Sequence, residues 1–112
     1  MCSRSTQSTS PLESHLLGLE SLTTQNFIEA EAQFKAALAQ NQDIPSAWSD
    51  LGIAVFRQGR LNEALEYFKK AVEIDSRFAK GWSNLGNALI GCGLINDAIS
   101  VCRTAVALEP NL

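Results

Sequence analysis

The residues of this chain suited to covalent chemistry are few: one histidine, His15, and three cysteines, Cys2, Cys92 and Cys102. A thiolate activated by a neighbouring imidazole is the nucleophile they could build. No glycine-rich phosphate loop, HExxH, GxSxG or CxxC accompanies them. Phosphoryl transfer, metal-assisted hydrolysis and acyl transfer therefore lack their usual parts, and no metal or other cofactor is expected. Whether His15 meets a thiol depends on the elements that lie between them.

Twelve acidic residues against nine basic ones leave a net charge of −3 and a pI near 5.0. That balance disfavours a nucleic-acid or anionic-membrane partner. No apolar run approaches the roughly 18 residues that membrane insertion requires. The opening "MCSRSTQSTS" lacks the apolar core of a secretory signal. Three cysteines without paired spacing fit free thiols in a reducing compartment. The expectation is a cytoplasmic protein with a disordered leader over residues 1–10, too polar to order by itself.

The positioning elements announce themselves by repetition. "WSDLG" at Trp48–Gly52 returns as "WSNLG" at Trp82–Gly86, 34 residues on. The same step maps Ala54 to Ala88, Gly59 to Gly93, Asn62 to Asn96, Ala64 to Ala98, Ala71 to Ala105 and Val72 to Val106. Ten identities at one ungapped offset mark a repeated unit. A fainter copy lies one step earlier, through Leu17, Gly18, Ala30, Phe34 and Ala37. The units run over residues 11–44, 45–78 and 79–112.

Each unit reads as two helices. Trp48, Leu51, Gly52 and Val55 recur at helical spacing and form one apolar stripe. Gly59 supplies a left-handed stop. Asn62 reads as the N-cap of a second helix, from Glu63 to about Ile74, with Ala64, Phe68, Ala71 and Val72 as its stripe. Gly52 and Ala64 remove bulk where the helices cross, so their axes can approach to about 8 Å. In "EYFKKAVEIDSR", Glu66 and Lys70 stand at pairing distance on a solvated face. The chain is all-α, with six helices and no strand signal.

This pattern, W-x2-L-G-x2-(large)…A-x3-(F/Y)-x2-A at a period of 34, resembles the tetratricopeptide repeat (TPR). The second copy presents it as Trp48, Leu51, Gly52, Val55, Ala64, Phe68 and Ala71. The third has Trp82, Leu85, Gly86, Leu89, Ala98, Cys102 and Ala105, and closes with Pro110. The resemblance implies a TPR-like right-handed superhelix of three helix-turn-helix repeats, whose concave groove binds a peptide or protein partner. The first copy departs from it: Ser14 and Ser21 replace large residues, and Gln25 replaces the turn glycine. Ser10, Pro11 and Glu13 nevertheless read as a capping box with proline at N1.

On this reading His15 and the cysteines of the third unit are separated by two hairpins, on the order of 20 Å, which excludes a dyad. An exposed His15 is then a surface residue, and Cys102 a small core residue in the place of Phe68. The chemistry that remains is recognition. The side of each first helix opposite its stripe would line the groove, with candidate residues His15, Leu19, Asp50, Ile53, Arg57, Lys80, Asn84 and Asn87. Leu12, Leu16, Leu19 and Leu22 offer an alternative, as the buried stripe of a rotated first helix.

Chaperone-binding TPR proteins resemble one another in a basic clamp for a terminal carboxylate. Its positions here hold His15, Leu19, Asp50, Lys80 and Asn84; only Lys80 matches, and Asp50 would repel the ligand. The Asp50 to Asn84 difference is then expected to belong to the ligand rather than the fold. At the far end Ile99, Cys102 and Val106 would be partly bare. A segment cut from a longer protein, self-association and a docked partner are the three explanations. The functional expectation is a non-catalytic protein-interaction module, a scaffold or adaptor. The alternatives are an N-terminal or regulatory TPR fragment of a larger enzyme or transferase, and a self-associating scaffold.

Overall fold

A computed structural model describes residues 10–109; the expected leader, apart from Ser10, and the closing Pro110 lie outside them. Six helices follow one another: α1 (Pro11–Thr23), α2 (Phe27–Gln40), α3 (Pro45–Phe56), α4 (Leu61–Ile74), α5 (Ala79–Gly91) and α6 (Ile95–Leu108). Among the described residues there is no strand, and no helix is long and apolar enough to cross a membrane. Each odd-numbered helix packs antiparallel on the next, and the three hairpins stack into a body of 54 × 26 × 21 Å.

The sequence starts these helices in different ways. Ser10 caps α1: its hydroxyl accepts from the Glu13 amide at 3.0 Å, and the Glu13 carboxylate accepts from the Ser10 amide at 3.1 Å. Asn26 caps α2 through the Glu29 amide. The expected cap at Asn62 is not used. Gly59, at φ 86°, ends the turn so early that the cap position falls on Arg60, and α4 begins at Leu61. Arg60 contributes no side-chain cap, because a guanidinium only donates whereas a cap must accept from a backbone N–H; it bonds to Glu31 and Glu63 instead.

Close approach inside each hairpin fixes how the first helix is rotated. A Cβ on Gly52 would stand 2.6 Å from Cε1 of Phe68, and one on Gly18 would stand 2.5 Å from Cε1 of Phe34. At Gly86 the neighbour is Cys102 Sγ, at 2.5 Å. The ring of the second helix therefore lies directly on the backbone of the first. This contact decides the orientation of α1. Ser14 and Gly18 face inward and are buried, while Leu12, Leu16 and Leu17 are exposed and Leu19 and Leu22 half-buried. The rotated alternative would swing Gly18 away from Phe34, and it does not occur.

The tryptophans are only half-buried and have a further task. Trp48 Nε1 donates to the Gln42 carbonyl at 2.8 Å, and Trp82 Nε1 to the Ser76 carbonyl at 2.8 Å. Each indole clamps the loop that enters its own hairpin. Ser14 stands at the start of the stack, where no earlier hairpin among the described residues presents such a loop.

The turn of the first hairpin keeps the left-handed conformation without glycine: Gln25 has φ 61°, where Gly59 has 86° and Gly93 has 80°. A side chain in that region costs about 1–2 kcal/mol. Gln25→Gly should therefore stabilise the protein by about 0.5–1 kcal/mol after the added unfolded-state entropy, raising Tm by a few degrees. A thermal melt that falls or stays unchanged would contradict the strain.

Candidate functional site

The helices α1, α3 and α5 share one side of the stack. Among the described residues, α1 touches α3 and α3 touches α5, but α2 does not reach α4, nor α4 α6. The stack thus curves with its first helices on the inner side. Six of the eight candidate residues meet the neighbouring first helix or line a cleft on that side, and they form two sets that share Asn84. Leu19 packs, half-buried, against the core of the first hairpin.

One set joins the first helices to each other. His15 Nε2 donates to Asp50 Oδ2 at 2.8 Å, with both side chains largely covered and the imidazole edge-on to Phe34 at 5.6 Å between centroids. Asn84 Nδ2 donates to Ser49 Oγ at 2.8 Å. Both bridges span 35 residues, one more than the repeat, so they are the same device used at successive seams. His15 is therefore not a free surface residue. The change from Asp50 to Asn84 also has a partner inside the fold. A carboxylate accepts from imidazole, whereas an amide donates to a hydroxyl.

The other set lines a cleft of about 240 Å³ between α3 and α5. Ile53, Phe56 and Ala88 form its apolar floor, with Phe68 behind them, and Arg57, Asn84 and Asn87 supply polar groups. Asn87 is exposed, Ile53 half-buried. The Arg57 guanidinium lies 5.3 Å from the centre of the Phe27 ring, which steadies it at the cleft's edge. Lys80 is exposed at the opposite end of α5, away from these residues. Ala88 was not among the candidates; its small size leaves the space that Ile53 and Asn87 border.

Sequence reading also missed the ionic lock at the first seam. Arg60 donates through Nη1 and Nη2 to both Glu31 oxygens, at 2.8 and 2.9 Å, and reaches Glu63 at 2.8 Å. Gln58 Nε2 adds a bond to Glu31 at 2.9 Å, and Lys35 an ion pair at 2.8 Å. Lys69, rather than Lys70, pairs with Glu66, at 3.7 Å, while Lys70 lies over the Trp48 ring. The Arg60 hydrogen bonds, against some desolvation, hold the Glu31 carboxyl at about 2, down from its ordinary 4.5. The same guanidinium lowers Glu63.

His15 and the described cysteines do not form a dyad. Cys92 and Cys102 are free thiols of the third hairpin, and among the described residues neither α1 nor α2 touches α5 or α6.

A curved stack of 34-residue helical hairpins, held through Gly-on-ring contacts, defines an all-α repeat protein. Two family models described as tetratricopeptide repeat match residues 15–77 and 55–111, and the chain belongs to that family. No curated protein matches it in sequence. Among solved structures, one described as "Crystal structure of MamA" superposes with a TM-score of 0.86 at 24% identity, covering 93% of this chain. The chain spans 61% of that structure's length and 57% of a second MamA structure. The first TPR of Spaghetti, bound to an HSP90 peptide, gives a TM-score of 0.89 at 20% identity, covering 95% of this chain and 84% of its own. The Arabidopsis OM64 TPR domain gives 0.88 at 19% identity, covering 91% and 84%.

The lock makes a pH-dependent prediction. A carboxyl whose folded pKa is depressed adds stability above its unfolded value, and that stability is lost as pH falls through the folded one. Wild type should therefore exceed Glu31→Gln in urea stability at pH 6. The gap should close between about pH 4.5 and pH 2. A gap that does not depend on pH would mean that Glu31 acts by packing alone.

Proposed function

We propose that this protein is an interaction module that holds a partner's peptide segment on the inner face of its stack, between α3 and α5. The observation that carries this reading is the cleft itself. Ile53, Arg57, Asn84 and Asn87, four residues expected on the groove from helical geometry, line one hollow with an apolar floor and a polar rim. An apolar side chain of the partner would rest on Ile53 and Phe56, and Asn87 would bond its backbone, with Arg57 free to meet an acidic or carbonyl group.

The Spaghetti structure is of a TPR bound to an HSP90 peptide, which supports a peptide ligand for this fold. A terminal-carboxylate clamp is not the mode favoured here. Asp50 stands in its path already paired with His15, and Leu19 is a half-buried apolar residue packed against the core. An internal segment with an apolar anchor suits the cleft better. The module is proposed to act in the cytoplasm as a scaffold or adaptor, without a reaction of its own, since His15 is committed to Asp50. The reading as a regulatory piece of a longer protein draws on the share of MamA that the chain spans, 61%.

Ile53→Asp and Asn87→Ala should each abolish or strongly weaken capture of a partner that wild type retains from its native lysate. Circular dichroism and thermal melting should remain those of a folded helical protein. A partner held equally by both folded variants would place recognition on another surface.

A further inference from the structure

Charge is unevenly placed over the first helices. α3 contains one carboxylate, Asp50, and α5 contains none. Asp50 is only 9% exposed and is already bonded to His15. The two carboxylates of α1, Glu13 and Glu20, stand on the side of that helix nearly opposite His15, the residue that reaches α3.

The inner surface presents two cations instead. Arg57 edges the α3–α5 cleft, over the Phe27 ring. Lys80 is exposed and precedes Asn84 and Asn87 by four and seven residues, which puts it on the same helix face as these two cleft residues. Among the described residues neither cation has a carboxylate in ion-pair reach, whereas Lys35, Arg60 and Lys69 each do. The whole chain carries a net charge of −3, so this surface has the opposite sign to the molecule around it.

The placement of the two cations fixes a spacing. One repeat step carries Arg57 to position 91, eleven residues beyond Lys80. Eleven residues of helix measure about 16 Å. The step between neighbouring first helices adds about 10 Å sideways. An extended segment covers that diagonal in about six residues. Ile53, one repeat step before Asn87, falls between the two cations, so the apolar anchor of the segment lies between their partners. Residues 1–9 contain Arg4 and no Asp or Glu, so they do not supply such a segment.

We infer that the segment held by the cleft is an internal, acidic one, with two side-chain carboxylates about six residues apart on either side of its apolar anchor. One meets Arg57 and the other Lys80. The inference rests on the reading of the cleft as a peptide site and adds the charge and spacing of what enters it.

A display library of random internal segments, each set between fixed Gly-Ser flanks so that no free terminus is offered, tests this on the whole protein. Segments retained by wild type and released by Ile53→Asp are expected to carry Asp or Glu on both sides of an apolar residue. The consensus segment, as a dye-labelled peptide with a blocked C-terminus, should bind about threefold more weakly to Arg57→Gln and to Lys80→Gln in fluorescence anisotropy, and about tenfold more weakly to the double variant. Lys69→Gln, which removes the same charge from α4, should bind as wild type does. Replacing either peptide acid by its amide should reproduce the loss on unaltered protein. Segments that depend on Ile53 but show no acidic enrichment, or an acid dependence that survives in the double variant, overturn the inference and leave the cleft reading intact. Retained segments indifferent to Ile53→Asp, or no retained segment at all, overturn both.

Discussion

The contact between the Phe68 ring and the backbone at Gly52 is the constraint from which the rest of the structure follows. An aromatic ring can lie on a helix only where no Cβ intervenes, so the glycine must face its partner helix. Once that face is set, every other position on the first helix has a defined direction. Small residues at 47 and 54, and at 81 and 88, are buried, with Gly81 against Val72 of the preceding hairpin. The residues at 15, 49, 50 and 84 meet the adjacent first helix. Those at 53, 57 and 87 are left for the inner surface. Replacing Phe68 by Cys102 in the third hairpin keeps the close approach with a smaller group, since Sγ takes the ring's place.

Much of this was legible in the sequence because folding positions repeat. The period, the six helices, the capping box at Ser10 and the left-handed turns at Gly59 and Gly93 each rest on local rules acting on a few neighbouring residues. The inter-repeat features were harder to read. A helical wheel assigns a residue to a face but does not say how close the next helix comes. Asp50 and Asn84 therefore looked like open groove residues, although His15 and Ser49 reach them from the neighbouring hairpins. The signal was present as a polar pair offset by 35 instead of 34 residues. Asn62 misled for a different reason: a favourable cap residue was outranked by turn closure at Gly59, which moved the helix start two residues earlier than Glu63.

The two seams share an apolar core and a polar bridge between first helices, and differ in what is added to them. The first adds an ionic lock, in which Arg60 grips Glu31 across the hairpins with Glu63 of its own hairpin beside it. In the second, Leu65, which is buried, and Leu94, which is exposed, stand at the positions of Glu31 and Arg60, so aliphatic groups replace the ion pair. The ionic seam is directional and sensitive to acid; the apolar one is tolerant of pH and less specific in geometry. α6 carries an apolar stripe of the same type, with Ile99 and Val106 exposed among the described residues. The inner cleft, by contrast, mixes a hydrophobic floor with Asn and Arg groups suited to an extended segment.

The central claim is that recognition resides on the inner surface made by the first helices. Amide chemical-shift mapping tests it most directly, using peptides selected for binding from a random library. The account predicts perturbations centred on Ile53, Arg57, Asn84 and Asn87, with α2 and the outward side of α4 unaffected. Perturbations concentrated on α2 and α4, with α3 and α5 silent, would contradict it.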